Sequence, residues 1–248
     1  MIDIHSHILP MVDDGAYNVE VALNMLEKAS DCGTEAIVLT PHFAANRNFI
    51  NKKEKIEVLF GQFNDIKKHC NIRIKLYPGS EYMMMGEAEF KKDLPHIQTM
   101  NNTSYMLIEF PFNVSEEEIY KGTRLVLDSG FIPIIAHPER YHIVNVFPEL
   151  CSNVIRSGGL FQMNKDSVFG GFGRNAKETA LNLLRHRAYA FAGSDAHNSS
   201  NRNPDMTQAF SFVADYCNDK YAHMLFSYNP EYMLEDTDIR GLMKHEKY

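Results

Sequence analysis

The sequence predicts an α/β fold, a closed or nearly closed barrel of parallel strands, from three observations. Short apolar runs alternate with longer amphipathic segments along most of the chain, and the runs lack the period-two pattern of half-exposed strands. The 248 residues are 44% hydrophobic, which suffices for one sizeable core. Most apolar runs also deliver a His, Asp or Glu at their carboxyl ends. These ends converge in a barrel, whereas an open sheet would leave its outer strand ends too far apart to share one site.

Seven apolar runs predict the strands. Each is four to six residues long and most are rich in Ile, Val, Leu, Phe or Tyr, as expected for strands buried on both faces. The runs cover residues 1–4, 36–40, 72–77, 105–110, 132–136, 160–163 and 189–192.

The segments between the runs predict helices. Residues 19–31 place apolar side chains at helical spacing, with Asn18 as the N-cap and Gly33 just beyond the end. Ser115 and Glu118 form a capping-box pattern that opens a helix ending at Gly130. Further helices are predicted at residues 52–70, 148–157, 176–187 and 204–219.

Composition and charge limit the functional classes. Acidic residues outnumber Lys plus Arg by 32 to 25, which argues against a nucleic-acid partner because such proteins carry a basic stripe. No stretch of 20 apolar residues predicts a membrane span. The four cysteines are widely spaced without a CxxC pair, and the chain opens without a secretory signal pattern, so we expect reduced thiols and a cytoplasmic protein. We expect one domain over residues 1–248, with a flexible tail from about residue 235.

The polar residues at the strand ends predict a metal site. Residues i and i+2 of a strand point to the same face, so His5 and His7 can bind one ion. Glu109 lies in a run that predicts a buried backbone, and a buried carboxylate needs a partner. Any one of these residues could be a surface or edge side chain, but a whole series at strand ends favours ligands. The residues concerned are His5, His7, His42, Glu81, Glu109, His137, Asn164, Asp195 and His197. Imidazoles and carboxylates without thiolates suit zinc, manganese or iron, and the sequence does not identify the metal.

Several motifs together resemble a known family. They read H-S-H at 5–7, V-D-D-G at 12–15, T-P-H at 40–42, G-S-E at 79–81, I-E-F at 108–110, A-H-P-E-R-Y at 136–141 and S-D-A-H-N-x-x-x-R at 194–202. This set resembles the PHP (polymerase and histidinol phosphatase) superfamily. Within it, the chain is similar to the manganese-dependent protein-tyrosine phosphatases of bacterial capsule and exopolysaccharide gene clusters, over residues 1 to about 230.

The resemblance implies a distorted seven-stranded TIM-like (β/α) barrel, the PHP fold, that holds three divalent metal ions. The implied metal is manganese, with iron, zinc or magnesium as alternatives. The implied ligands are His5, His7, Glu81 and Asp195 for one ion; Glu81 as a bridge with Glu109 and His137 for the second; and Asp14, His42 and His197 for the third. Arg140 and Arg202 match the positions that bind the substrate phosphate. The implied partner is a phosphotyrosine protein, a bacterial tyrosine kinase with a phosphorylated tail; the oligomeric state stays open.

These residues suggest a mechanism without a cysteine nucleophile. We hypothesise that hydroxide generated by the metals attacks phosphorus in line, while Arg140 and Arg202 stabilise the equatorial oxygens. A C-x5-R phosphate loop is missing, since Cys151 and Arg156 have only four residues between them. A phenolate leaves with a pKa of about 10, so tyrosine phosphate demands less acid assistance than an alkyl ester.

Three other functions remain open at this point. The chain could be another phosphoesterase of the superfamily, such as a histidinol-phosphate phosphatase, or a non-catalytic metal-binding regulatory module. An amidohydrolase-like enzyme is a third alternative, but it often uses a carboxylated strand-end lysine, and we expect the nearest candidate, Lys165, to lie on the surface. The arginines also have structural alternatives: Arg140 could pair with Glu139, and Arg202 could be a surface residue. Residues 170–173 predict a mobile loop.

Overall fold

A computed structural model describes residues 1–243, in which every strand pairing is parallel. The strands are β1 (Ile2–Ser6), β2 (Ala36–Leu39), β3 (His42–Phe43), β4 (Lys75–Pro78), β5 (Glu81–Met83), β6 (Tyr105–Glu109), β7 (Ile132–Ala136), β8 (Leu160–Asn164) and β9 (Phe191–Gly193).

These strands form the seven staves of a barrel. Strands β2 and β3 form one stave and β4 and β5 the next, each interrupted for two residues; Pro41, which has no backbone N–H, lies in the first break. The pairing orders β1-β2-β4 and β3-β5-β6-β7-β8-β9 therefore describe one continuous series. The backbone N–H of Asp195 donates to the carbonyl of His5 at 2.8 Å, and that of His7 to Ala196 at 2.9 Å. These bonds join the last stave to the first, which confirms the predicted barrel.

The helices follow the strands along the chain. They are α1 (Val19–Asp31), α2 (Lys53–Lys68), α3 (Glu87–Asp93), α4 (Glu116–Asp128), α5 (His142–Val146), α6 (Leu150–Ser157), α7 (Arg174–Arg185), α8 (Thr207–Tyr216), α9 (Asp219–His223), α10 (Asn229–Leu234) and α11 (Arg240–Met243). The Asn18 side chain accepts from the N–H of Val21 at 2.8 Å, and Ser115 and Glu118 make both bonds of the capping box, so both predicted caps are confirmed. None of the described helices is long and apolar enough to cross a membrane.

The carboxy-terminal segment packs beneath the barrel. Ile239 is fully buried in a cluster with inward-facing side chains such as Ile4 and Leu107. The Tyr105 hydroxyl donates to the carbonyl of Thr237 at 2.6 Å and accepts from the N–H of Ile239 at 3.0 Å. Contacts therefore continue past the residue at which we expect a flexible tail. Residues 244–248 of that tail lie outside the described residues, and the tail and the single-domain organisation stay predictions.

Gly15 allows a loop to cross the strand end that carries His7. A Cβ at Gly15 would lie 2.0 Å from the His7 carbonyl oxygen, which is backbone and cannot swing aside. The same carbonyl accepts from the N–H of Ala16 at 3.0 Å. The close approach of the two backbones fixes residues 13 and 14 above the end of the barrel.

We predict that Gly15→Ala lowers the free energy of unfolding by about 1–3 kcal/mol, because the added methyl forces the loop away from His7. Urea unfolding followed by circular dichroism measures the change. Gly61→Ala is the matched control, since Gly61 is exposed within α2 and a Cβ there meets nothing within 4 Å. The control should gain about 0.5–1 kcal/mol. Equal stability of the Gly15 variant and the wild type would contradict the close approach.

Candidate metal centre

The carboxyl ends of the staves surround a cavity of about 270 Å³. Its lining combines acids, imidazoles and guanidiniums with one aromatic ring: Asp14, His42, Arg47, Glu81, Glu109, Phe112, His137, Arg140, Asp195, His197 and Arg202. His5 and His7 are fully buried and contact Glu81 and Asp195. The structure thus brings all nine predicted ligand residues and both predicted phosphate-binding arginines together. That these residues bind metal and phosphate stays a prediction.

The first group of possible ligands comes from β1, β5 and the segments that directly follow β1 and β9. The Nε2 atoms of His5 and His7 lie 3.3 Å apart, and each lies within 3.4 Å of Glu81 Oε2. Asp195 Oδ1 lies 3.7 and 3.4 Å from the same two nitrogens. The four side chains converge as the resemblance implies for one ion.

The other two groups share His42. Its Nδ1 lies 3.0 Å from Glu81 Oε2 and 3.3 Å from Glu109 Oε1, whereas its Nε2 lies 3.5 Å from Asp14 Oδ1. His197 Nε2 lies 3.4 Å from the same Asp14 oxygen. His137 approaches the other oxygen of Glu81, with Nε2 at 3.0 Å from Oε1. The expected partner of Glu81 and Glu109 is His137, but the geometry also places His42 beside both acids.

Several buried polar atoms of the cavity make no hydrogen bond and are suited to bind a cation. Among the described residues these atoms include His42 Nδ1, Glu81 Oε2, Glu109 Oε1 and His137 Nδ1. Imidazole nitrogens and carboxylate oxygens within 4.8 Å of one another are a donor set for divalent ions. The residues present therefore fit a metal centre.

Three further hydrogen bonds orient the imidazoles. The Gln162 side chain contacts His5 Nδ1 at 2.8 Å, Asp13 Oδ2 contacts His7 Nδ1 at 2.7 Å, and the carbonyl of Asp195 contacts His197 Nδ1 at 2.9 Å. In each case the Nε2 atom is left facing a carboxylate of the centre, Glu81 for His5 and His7 and Asp14 for His197. A carboxylate or carbonyl behind a histidine is the usual arrangement in metal sites, since it fixes the tautomer and raises the basicity of the ligand.

The charges of the cluster are strongly coupled. Burial raises the pKa of Glu81, but His5, His42 and His137 outweigh that effect and hold it well below its ordinary value. Burial and the nearby His7 lower the pKa of His42, whereas Glu81 and Glu109 raise it, with a net value of about 9. Without cations, the acids therefore retain a proton on this imidazole at neutral pH. Metal binding must displace that proton.

The arginines face the same acids. Arg140 Nη1 donates to Asp195 Oδ2 at 3.1 Å, and Arg202 Nη2 lies 2.7 Å from Asp195 Oδ1. Arg47, which the sequence reasoning missed, lies 3.2 Å from Glu109 through Nη1. Arg140 pairs with Asp195 and not with Glu139, and both arginines line the cavity.

Glu139 is committed elsewhere and cannot serve as the partner of Arg140. Its Oε1 accepts from the N–H of Asn164 and the hydroxyl of Ser167, and its Oε2 accepts from the Tyr189 hydroxyl. The acid is fully buried and accepts hydrogen bonds at the carboxyl end of β8.

Comparison with known proteins assigns the family. Residues 1–235 match the sequence profile described as "Capsular polysaccharide synthesis, CpsB/CapC". The chain belongs to the CpsB/CapC family. It is 32% identical to the tyrosine-protein phosphatase YwqE of Bacillus subtilis, over 96% of this chain and 93% of that relative. It is 31% identical to the tyrosine-protein phosphatase CpsB of Streptococcus agalactiae, over 96% of this chain and all of that relative.

A solved structure confirms the likeness in three dimensions. It comes from a study of YwqE from Bacillus subtilis and CpsB from Streptococcus pneumoniae, described as unique metal-dependent tyrosine phosphatases. The two chains superpose with a TM-score of 0.86 at 31% identity, covering 96% of this chain and 95% of the other. The resemblance drawn from the motifs, and with it the predicted barrel, is confirmed.

Lys165 is more buried than we expect from the sequence. We expect a surface residue, but only 5% of Lys165 is exposed, so that expectation is wrong. Its Nζ donates to Asp166 at 2.7 Å, and it lines a separate cavity with Asp205. Because Lys165 does not line the metal cavity, it does not supply the carboxylated bridge of an amidohydrolase-like site.

Residues 170–173 contribute an aromatic ring to the site. The ring of Phe172 lies 4.2 Å from the guanidinium carbon of Arg140. The glycines on either side, Gly170 and Gly173, adopt φ values of 87° and 92°, which L side chains rarely take. The sequence does not indicate this contact between Phe172 and Arg140, and the mobility of the loop stays a prediction.

We predict that Asp13→Asn weakens metal retention about 10–100-fold, because the amide carries no charge to support His7 from behind. Competition with a fluorescent chelator measures retention, and elemental analysis gives the metal content of the protein before competition. Asp31→Asn is the matched control, since Asp31 is exposed at the end of α1. Unchanged retention in the Asp13 variant would show that His7 needs no carboxylate partner.

Proposed function

We propose that this chain is a metal-dependent protein-tyrosine phosphatase that binds three divalent ions, with manganese as the expected metal. The observation that carries the proposal is the convergence of three groups of acids and imidazoles and two arginines on one cavity. The names of the family's curated relatives support the same activity. The proposed ligands are His5, His7, Glu81 and Asp195 for the first ion; Glu81, Glu109 and His137 for the second; and Asp14, His42 and His197 for the third.

The position of His42 between two groups of ligands supports this assignment of ligands to the three ions. A neutral imidazole has one free lone pair, so His42 can bind only one ion at a time. If Nε2 serves the group of Asp14 and His197, the second ion needs another nitrogen beside Glu81. His137 is the imidazole in that place, since it contacts Glu81 Oε1 at 3.0 Å.

The arginines are suited to hold a phosphomonoester. Divalent ions in such a centre act as Lewis acids toward phosphoryl oxygens and lower the pKa of water. Arg140 and Arg202 approach Asp195 from the cavity side, so their remaining N–H groups can bind and orient a phosphate. Guanidiniums placed in this way stabilise charge on the equatorial oxygens.

The substrate proposed for this site is phosphotyrosine on a protein, specifically the phosphorylated tail of a bacterial tyrosine kinase that controls capsular or exopolysaccharide synthesis. The description of the family as one of capsular polysaccharide synthesis supports this context. A phenolate needs little acid assistance to leave. This suits a cavity whose acids are paired with imidazoles and arginines and do not serve as proton donors. The free state of all four cysteines supports a cytoplasmic location.

We predict that the purified protein contains divalent metal and hydrolyses a phosphotyrosyl peptide and p-nitrophenyl phosphate, and that chelation abolishes both activities. The physical reason is that the ions would supply the Lewis acid and the lowered pKa of bound water, which the side chains of the cavity do not supply. Elemental analysis and phosphate release, before and after chelation and after manganese is restored, measure the effect.

The same assay with histidinol phosphate separates the proposal from the alternative phosphoesterase. A higher kcat/KM for histidinol phosphate than for the phosphotyrosyl peptide would assign the chain to that activity instead. Activity that survives complete metal removal would contradict the metal-dependent reaction itself.

We predict that Arg140→Ala lowers kcat/KM about 100-fold or more while the metal content stays normal, because the guanidinium contacts phosphate and only a shared acid links it to the metals. Arg174→Ala is the matched control, since the Arg174 side chain is 87% exposed on α7. Loss of metal together with activity in the Arg140 variant would make Arg140 a structural residue.

A further inference from the structure

A second cavity, of about 390 Å³, adjoins the metal cavity. The two share Phe112 and Arg140 as walls. The remaining lining of the second cavity is His142, Asn145, Phe172, Asn175 and Ala176. Its volume lies in the range of small-molecule sites, and its two phenyl rings contrast with the acids, imidazoles and guanidiniums of its neighbour. Nothing in the reaction at the metals requires this second cavity.

Phe112 lies at the junction. It follows β6 by three residues, and 43% of its surface is exposed although it lies among buried groups. Its ring centroid is 6.4 Å from that of His137 and 4.7 Å from the guanidinium carbon of Arg140. An exposed phenyl ring beside a phosphate-binding arginine is an apolar surface that a ligand can cover.

Phe172 forms the other aromatic wall. Its ring lies 4.2 Å from Arg140 and 5.9 Å from Arg202, measured to the guanidinium carbons. Cation–π contacts of this kind hold Arg140 between Phe112 and Phe172. Arg140 therefore lies between the metal cavity and the second cavity, in contact with both aromatic walls.

We propose that this second cavity binds the aryl group of an aryl phosphate monoester, with Phe112 as the wall on which the ring packs. The inference rests on the proposed function, since it assigns the cavity and the residue that bind the ring of that substrate. The metal cavity is lined by charged and polar groups, and an apolar ring there would desolvate them without replacing their hydrogen bonds. The adjoining cavity instead offers aromatic faces, and aromatic pairs gain free energy beyond the area that they bury.

The outer lining agrees with a ring that belongs to a larger molecule. His142 and Asn175 are both exposed, and they lie at the start of α5 and in the first turn of α7. The site is thus aromatic beside Arg140 and includes exposed polar side chains. A phosphotyrosine within a polypeptide has the same arrangement: its ring follows the phosphate, and its polar backbone lies beyond the ring.

The test compares phenylphosphonate with methylphosphonate, which carry the same phosphonate group and differ in the ring. Isothermal titration calorimetry on the metal-loaded full chain gives both dissociation constants. We expect the wild type to bind phenylphosphonate about tenfold more tightly than methylphosphonate, corresponding to about 1.4 kcal/mol. Phe112→Ala should reduce that preference to within about twofold while the constant for methylphosphonate stays within about twofold of wild type. Phe112→Tyr should keep the preference.

Phe147→Ala is the matched control, because Phe147 is 48% exposed and lines neither cavity. It should keep the wild-type preference. A wild type without a preference, an unchanged preference in Phe112→Ala, or an equal loss for both phosphonates would overturn the inference. Failure of the proposed function is a separate result: the wild type would then prefer phenylphosphonate but leave the phosphotyrosyl peptide intact.

Discussion

The carboxylate of Glu81 is the group on which the centre depends. It is 1% exposed, and its Oε2 lies within 3.4 Å of nitrogens from His5, His7 and His42, while its Oε1 contacts His137. A buried carboxylate needs hydrogen bonds or opposite charge to compensate its lost hydration, and at Glu81 the imidazoles supply both. The imidazoles come from three different staves and meet only because the barrel closes. The contacts of Glu81 therefore depend on how the staves of the barrel are arranged.

Closure of the barrel is itself secured by a buried acid. Asp3 is fully buried in β1 and accepts from the N–H of Ser194 at 2.9 Å, from the Ser194 hydroxyl at 2.6 Å and from the N–H of His5 at 3.2 Å. Burial raises the pKa of Asp3, although these bonds and His5 lower it in part. The side chain joins the first and last staves directly beneath the ligands, so that the seam holds His5 and Asp195 at a fixed separation.

The sequence predicts those parts of the structure that depend on local signals. The seven apolar runs and the capped helices α1 and α4 are recognisable because burial pattern and capping residues lie within a few positions of one another. The short helices α9, α10 and α11 span fewer than two turns, which is too short for a recognisable amphipathic pattern, and the breaks within two staves depend on how neighbouring strands pair. Contacts between distant parts of the chain also explain why the sequence did not point to Asp13, Arg47 and Gln162. Their roles follow from contacts across the fold, although Asp13 stands in the V-D-D-G motif beside the residue that was chosen.

Two residues of the centre occupy backbone conformations that few side chains adopt. His137 has φ 35° and Asp195 has φ 50°, and each comes directly or nearly directly after a stave. Such conformations cost about 1–3 kcal/mol and persist only where the surroundings impose them. The N–H of His137 is held by the carbonyl of Gln162 at 2.9 Å, and the Asp195 side chain accepts from Asn164 at 2.8 Å. Both residues turn from the strand direction at the point where their side chains meet Glu81 or the arginines. The turn of the backbone at each strand end therefore produces both the strain and the position of the side chain, since an unstrained strand end would continue past the cavity.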